Sequence, residues 1–391
     1  MTHVQPVPPG VAAETPSPPS GPLCGLRVIE LAGIGPSPFC GMVLSDMGAD
    51  VVRVDRIESR EGGDDAPPAL WDRGRRSVAL DLKDPGDIET LLRLVDTADA
   101  LIEGYRPGVV ERLGIGPDIC LARNRRLVYG RVTGWGREGP LAQTPGHDLN
   151  FIALSGVLNA IGHHEGRPVP PLNLVGDFGG GGMLLALGVC AALVHAARSG
   201  IGQVVDAAMI DGSAQLMTSI FGLRAQGRWN DERGSNLIDS GAPFYDVYET
   251  SDGAYVSIAA LERRFFADLV TRLGLADDPV MGNRMDPASW PAMRQRFVDT
   301  FKTRTQAAWC ALLEGTDCCF APVLSMHDAP EHPQNALRRT FVDHDGVIQP
   351  APAPRFSVTP GGISRPAPRR GQHTEEVLAE WGVAPHPERG E

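Results

Sequence analysis

The sequence predicts an α/β protein, built as an open and largely parallel sheet with helices on both faces and joined to a smaller α+β region. Three observations carry that prediction. Residues from Leu26 to Asp55 read strand, turn, helix, strand, the signature of a right-handed βαβ unit. Short apolar runs then recur with helical patterns between them, as successive βα units require. Beyond about Tyr245 the pattern changes to a strand announced by Asp252-Gly253 and followed by amphipathic helices.

Taken in order, Arg-Val-Ile-Glu-Leu after Leu26 is the first strand, and Ala-Gly-Ile-Gly-Pro is the turn. The helix runs through Met42 and Leu44, and Ala-Asp-Val-Val-Arg-Val-Asp is the second strand. Gly33 and Gly35 invite a dinucleotide-binding reading, but the third glycine is missing and Pro36 and Pro38 remove amides that would cradle a pyrophosphate. A tight turn ahead of a helix is the better reading. Ser77–Leu82, Asp99–Glu103 and Leu127–Val132 are further strands, and Met183–Ala197 is a core helix shorter than the roughly 20 residues that span a bilayer. From Pro322 the chain is Pro-rich and irregular until a short helix at Thr374–Trp381, which suggests a return to the first domain. The chain is thus expected to divide into a disordered tail (1–21), a large domain (22–210), a linker (211–240), a small domain (241–328) and a return segment (329–391).

Composition narrows the function. A chain of 391 residues, 42% of them apolar, can bury a large core. The net charge of -12 argues against nucleic acid and against a polybasic membrane surface as partners, so an anionic ligand needs a local basic patch. Seven cysteines without metal-ligand spacing read as reduced thiols, the adjacent Cys318 and Cys319 as packing residues, and no metal site is expected. With no signal-peptide pattern at the start, a cytoplasmic enzyme is the expectation.

Two segments place ionisable residues beside glycines at the start of apolar helices. In Pro-Gly-His-Asp-Leu-Asn-Phe, His147 and Asp148 enter a helix expected to continue through Leu158, where outward-pointing amides favour negative charge. On spacing alone, a capping Asp148 and a satisfied surface His147 explain this as well or better. In Leu-Asn-Leu-Val-Gly-Asp-Phe, Asp177 precedes four consecutive glycines. A simple N-cap does not call for such a run, which implies close backbone approach. A histidine and a carboxylate at two helix starts suit removal of a proton beside a thioester and its return to the opposite face. Arg53, Arg56, Arg73, Arg75, Arg76 and Arg106 are candidate phosphate ligands, although each also reads as a solvated charge.

The chain resembles the family III CoA-transferase superfamily from about Pro22 to Phe356. The residues that carry the resemblance are Gly-Leu-Arg-Val-Ile-Glu-Leu (25–31), Gly-Ala-Asp-Val-Val-Arg-Val-Asp (48–55), Arg-Ser-Val-Ala-Leu-Asp-Leu-Lys (76–83) and Gly-Gln-Val-Val-Asp-Ala (202–207). Gly-His-Asp-Leu-Asn-Phe and Gly-Asp-Phe-Gly-Gly-Gly resemble the branch that interconverts (2R)- and (2S)-2-methylacyl-CoA thioesters rather than the branch that transfers CoA. The resemblance implies His147 and Asp177 as proton-transfer groups, Glu262 orienting His147, and Asn173 and Tyr245 hydrogen-bonded to Asp177. It implies the Asp148 amide as donor to the thioester oxygen. The implied CoA contacts are Arg56, Ala79, Leu80, Asp81, Leu82, Arg106, Gly146, His147, Asp148, Leu149 and Asn150. It further implies a Rossmann-like large domain, an interlocked homodimer, an acyl-CoA partner, and no cofactor beyond the CoA of the substrate. The alternative is a CoA transferase with Asp177 as the nucleophile of an acyl anhydride.

Overall fold

The computed structural model describes residues 20–57 and 69–383. The expected disordered tail lies outside the described residues, except for Ser20 and Gly21. The chain separates into two compact units. The first contains residues up to Ser155, Leu172–Leu216 and the chain from Pro333 onward, and the second contains Gly156–Pro171 and Met217–His332.

The first unit is built on a six-stranded sheet of β1 (Arg27–Leu31), β2 (Asp50–Asp55), β3 (Arg76–Ala79), β4 (Ala100–Glu103), β5 (Val128–Thr133) and β6 (Val204–Ala208), in the order β3-β2-β1-β4-β5-β6. Every pairing in it is parallel. The α/β expectation is met, because the strands alternate between two apolar layers. Ile29, Leu31, Val52 and Val54 pack with the Pro85–Val95 helix on one face. Val28, Val51, Ala100 and Ile102 pack with the Pro36–Asp46 and Leu184–Ser199 helices on the other. A parallel sheet covered on both faces reads as near-continuous apolar strands, which is why five of these strands were visible in the sequence.

Three elements before residue 216 differ from the sequence reading. The strand β6 was not anticipated; it sits at the sheet edge, and its Val204 is 39% exposed, so its apolar run is short. The helix expected to run from residue 147 through Leu158 stops at Leu154, because Gly156 takes φ 89° and starts a separate turn, Val157–Ala160. The expected core helix Met183–Ala197 is part of a continuous helical run, Leu174–Ser199. That run has 26 residues and is long and apolar enough to cross a membrane; its most apolar stretch has a mean hydropathy of 1.8 and is 50% buried in the protein.

The segment from Pro333 packs on the first unit. It contains an unanticipated hairpin, β10 (Phe341–His344) with β11 (Val347–Pro350), turned by Asp345 and Gly346 at φ 55° and 77°. It ends in the Thr374–Glu380 helix beside β3, where Ala79 N–H donates to Thr374 Oγ1 at 3.1 Å and Arg76 pairs with Glu376 at 3.1 Å. The second unit holds an antiparallel sheet of β7 (Tyr245–Glu249), β8 (Tyr255–Ala259) and β9 (Phe320–Val323). Phe244, Tyr248, Phe266, Phe297, Phe301 and Trp309 form its core.

Candidate active site

The sheet order reverses between β1 and β4, and open α/β sheets offer a crevice at such a switch point, outside the carboxyl ends of the strands. The first unit has a cavity of about 500 Å³ there. Its walls are Ile34–Pro36 after β1, Gly104–Pro107 after β4, Thr133–Trp135 after β5, and the side of the unit that carries His147, Asn173 and Asp177.

His147 is the N-cap of the Asp148–Leu154 helix, with extended backbone (φ -129°, ψ 173°). Asn150 Oδ1 accepts the His147 N–H at 3.1 Å and so fixes the turn. The glycine before it is needed for packing. A Cβ on Gly146 would come within 2.8 Å of the Phe151 ring and 3.0 Å of Trp135, which stack edge to face with centroids 4.7 Å apart. In the first turn the Asn150 N–H donates to His147 O at 2.8 Å, while helix geometry gives the Asp148 and Leu149 amides no intrahelical acceptor. The Asp148 side chain turns inward instead. It is 5% exposed, and its Oδ2 accepts the Asp177 backbone N–H at 2.7 Å.

Asp177 lies in a π-helical segment, Leu174–Met183, where the sequence reading placed the entrance of an apolar helix. Such segments are rare and are frequently found at functional sites. The glycine run serves close packing. A Cβ on Gly180 would stand 2.7 Å from Ser213 N, one on Gly181 would stand 2.9 Å from Pro36 Cβ, and one on Gly182 would stand 2.6 Å from Pro36 O. The segment is therefore wedged against both the Met209–Leu216 helix and the start of the Pro36–Asp46 helix, beside which Gly35 adopts φ 70°. Asn173 Nδ2 donates to Asp177 Oδ2 at 3.2 Å. Burial holds the Asp177 carboxyl above its ordinary range, and the Asp148 charge adds to that, while the Asn173 hydrogen bond and the His147 charge oppose it.

The structure brings Arg106, Gly146, His147, Asn173 and Asp177 around one cavity, with Asp148 behind it. Leu149 and Asn150 follow in the first turn of the helix. Arg56 and Ala79–Leu82 sit at the carboxyl ends of β2 and β3, outside the cavity lining. Leu80 and Leu82 point into the core at 1% and 8% exposure, so only their main chain can meet a ligand. Tyr245 opens β7 and Glu262 caps the Arg263–Arg272 helix, both in the second unit.

Four of the candidate phosphate ligands are structural. Arg53 pairs with Asp55 and Asp72, Arg73 with Asp46, Arg75 with Glu30, and Arg76 with Asp50, all with side chains at most 11% exposed on the arginine. Arg56 and Arg106 are exposed and have no acid partner among the described residues. The sequence reading missed Gly35, Trp135 and Met209 as lining residues. Gly35 alone had a signal, as a turn glycine.

Residues 23–374 match CoA-transferase family III. The chain is 44% identical over 364 residues to the α-methylacyl-CoA racemase of Mus musculus, covering 93% of this chain and 94% of that protein. It is 42% identical to the human α-methylacyl-CoA racemase, with the same coverage. A CAIB/BAIF family protein from Brucella suis superposes with a TM-score of 0.80 at 27% identity, covering 93% of this chain and all of the other.

Proposed function

Because the chain belongs to CoA-transferase family III, we propose from that premise that it inverts the α-carbon of 2-methyl-branched acyl-CoA thioesters. It is an isomerase of the racemase type. The observation that carries this reading is that a chain matching racemases over 93% of its length lines one cavity with both His147 and Asp177. CoA transfer through an Asp177 anhydride leaves His147 without a task, and the racemase reading is favoured over it.

In the proposed reaction one of the two groups removes the α-proton and leaves a planar enolate. The thioester oxygen, now carrying charge, faces the first-turn amides of the Asp148–Leu154 helix, with the Asp148 N–H as the leading donor. The other group returns a proton to the opposite face, and the roles exchange for the opposite enantiomer. Each proton transfer of this kind contributes about 10²–10⁴-fold. The chemistry calls for no metal or organic cofactor beyond the CoA of the substrate. Arg56, the main chain at Ala79–Leu82, Arg106 and residues Gly146–Asn150 are the proposed CoA contacts. We place the enzyme in the cytoplasm.

We further propose a homodimer in which Glu262 of the partner subunit orients His147, with Tyr245 supporting Asp177. Leu154, Leu187, Val194 and Leu216 of the first unit are each more than half exposed, and apolar surface of that kind supports coverage by a second copy. Incubation of a 2-methylacyl-CoA in heavy water without any acceptor acid tests the reaction. Deuterium at C2 with loss of optical purity is expected; an Asp177 adduct trapped by hydroxylamine, with no exchange at C2, would establish the transferase instead.

A further inference from the structure

We infer that the Asp148 side chain couples the two proton-transfer groups, fixing the Asp177 main chain and setting the field in which the Asp177 carboxyl exchanges its proton. This rests on the racemase reading. Asp148 follows His147 in the chain, and its Oδ2 receives the Asp177 N–H at 2.7 Å, so one carboxylate spans the two helix starts. The fit is close: a Cβ on Gly176 would stand 2.5 Å from Oδ2 and 2.8 Å from Cγ. The other oxygen, Oδ1, is buried and has no hydrogen-bond partner, and no lysine or arginine pairs with Asp148 among the described residues.

A buried carboxylate with no cationic partner penalises ionisation of a second carboxyl beside it. The charged groups acting on Asp177 are Asp148, which raises it, and His147, which lowers it. The Met209–Leu216 helix packed on the same segment carries Asp211, which is not among them, and the start of the Pro36–Asp46 helix brings the uncharged Gly35. Two-way inversion needs one proton on the His147–Asp177 pair, held by Asp177 when it acts as the acid and by His147 when Asp177 acts as the base. Raising Asp177 favours the arrangement in which its carboxyl holds the proton. Asp148 therefore acts through Asp177, as a positioning residue.

The test is the pH dependence of kcat/KM for inversion of each enantiomer of one saturated 2-methylacyl-CoA, by the wild type, Asp148→Asn and Asp148→Ala. Asn keeps an acceptor for the Asp177 N–H and removes the charge. Its acidic limb is expected to move to lower pH in both directions by about half a unit or more, roughly a threefold change in proton affinity. Asp148→Ala, which also loses the anchor, is expected to lose at least about tenfold in kcat, the scale of mispositioning a reacting group. An unshifted limb in a folded Asp148→Asn enzyme overturns the inference. Where Asp148→Asn does not fold, carboxyl ¹³C titration of Asp177 in Asp148→Ala against the wild type decides: a lower value in the variant supports the inference, and an unchanged one overturns it. A wild type that exchanges no α-proton refutes the racemase reading itself, which is a separate outcome.

Discussion

Gly212 and Gly180 meet main chain to main chain: a Cβ on Gly212 would stand 2.6 Å from the Gly180 carbonyl carbon and 2.7 Å from its Cα. The contact presses the Met209–Leu216 helix onto the π-helical segment that holds Asp177. Gly212→Ala must push that segment away. Overpacking of this kind costs about 1–3 kcal/mol. Thermal unfolding is expected to show a lowered Tm, and the residual activity at low temperature to fall more than the folded fraction does, since Asp177 moves with its backbone.

Arg75 and Glu30 form a fully buried ion pair at 2.6 Å, both side chains 0% exposed. Arg75 also donates to the carbonyls of Pro38 and Trp71, so it ties the start of the Pro36–Asp46 helix to a segment that lines the cavity. Arg75→Met leaves the Glu30 charge buried and unpaired. Chemical denaturation is expected to report a loss of about 3–5 kcal/mol, with Arg75→Met, Glu30→Met recovering a large part of it.

Glu103 ends β4, where its carboxylate accepts the Tyr105 N–H at 2.6 Å and the Arg131 Nε–H at 3.1 Å. Burial pushes its carboxyl up to about 7, against the opposing effects of the Tyr105 hydrogen bond and Arg131. The folded state therefore holds this proton more tightly than the unfolded chain, whose glutamates titrate near about 4.3. Its contribution to stability is greatest below that value and is lost as pH rises through about 7. The Tm of Glu103→Gln relative to the wild type is expected to increase with pH across that interval; a difference that stays constant contradicts the assignment.

How much of this was readable in the residues depended on burial. The strands β1 to β5 announced themselves because both faces are covered, whereas β6 offered only a short run at an exposed edge. The β10–β11 turn had an Asp-Gly signal, hidden in a Pro-rich stretch. At the site, Asp177 stood out through the glycines behind it, but apolar patterning does not separate a π-helical turn from an α-helical one. His147 was no better than a surface histidine on spacing, and the role proposed for it rests on resemblance. The tie between Asp148 and Asp177 joins residues 29 apart in the chain and left no mark in the sequence.

Arg106, exposed beside the cavity, is expected to contribute binding rather than chemistry. Arg106→Ala should raise KM for the acyl-CoA about tenfold with little change in kcat, the signature of a lost uniform binding interaction. The KM difference between variant and wild type should shrink as salt rises, since a phosphate contact at the surface is screened. A fall in kcat at unchanged KM would assign Arg106 elsewhere.

In the proposed mechanism His147 and Asp177 serve opposite faces of one α-carbon. Initial rates of α-proton exchange in heavy water, measured separately from the (2R)- and (2S)-thioesters, test it most directly in His147→Ala and Asp177→Ala. Each variant is expected to lose exchange from one enantiomer by about 10²-fold or more while keeping more of the other, and the two variants should lose opposite enantiomers. Wild-type exchange in either variant, or the same enantiomer lost in both, would contradict the two-base account.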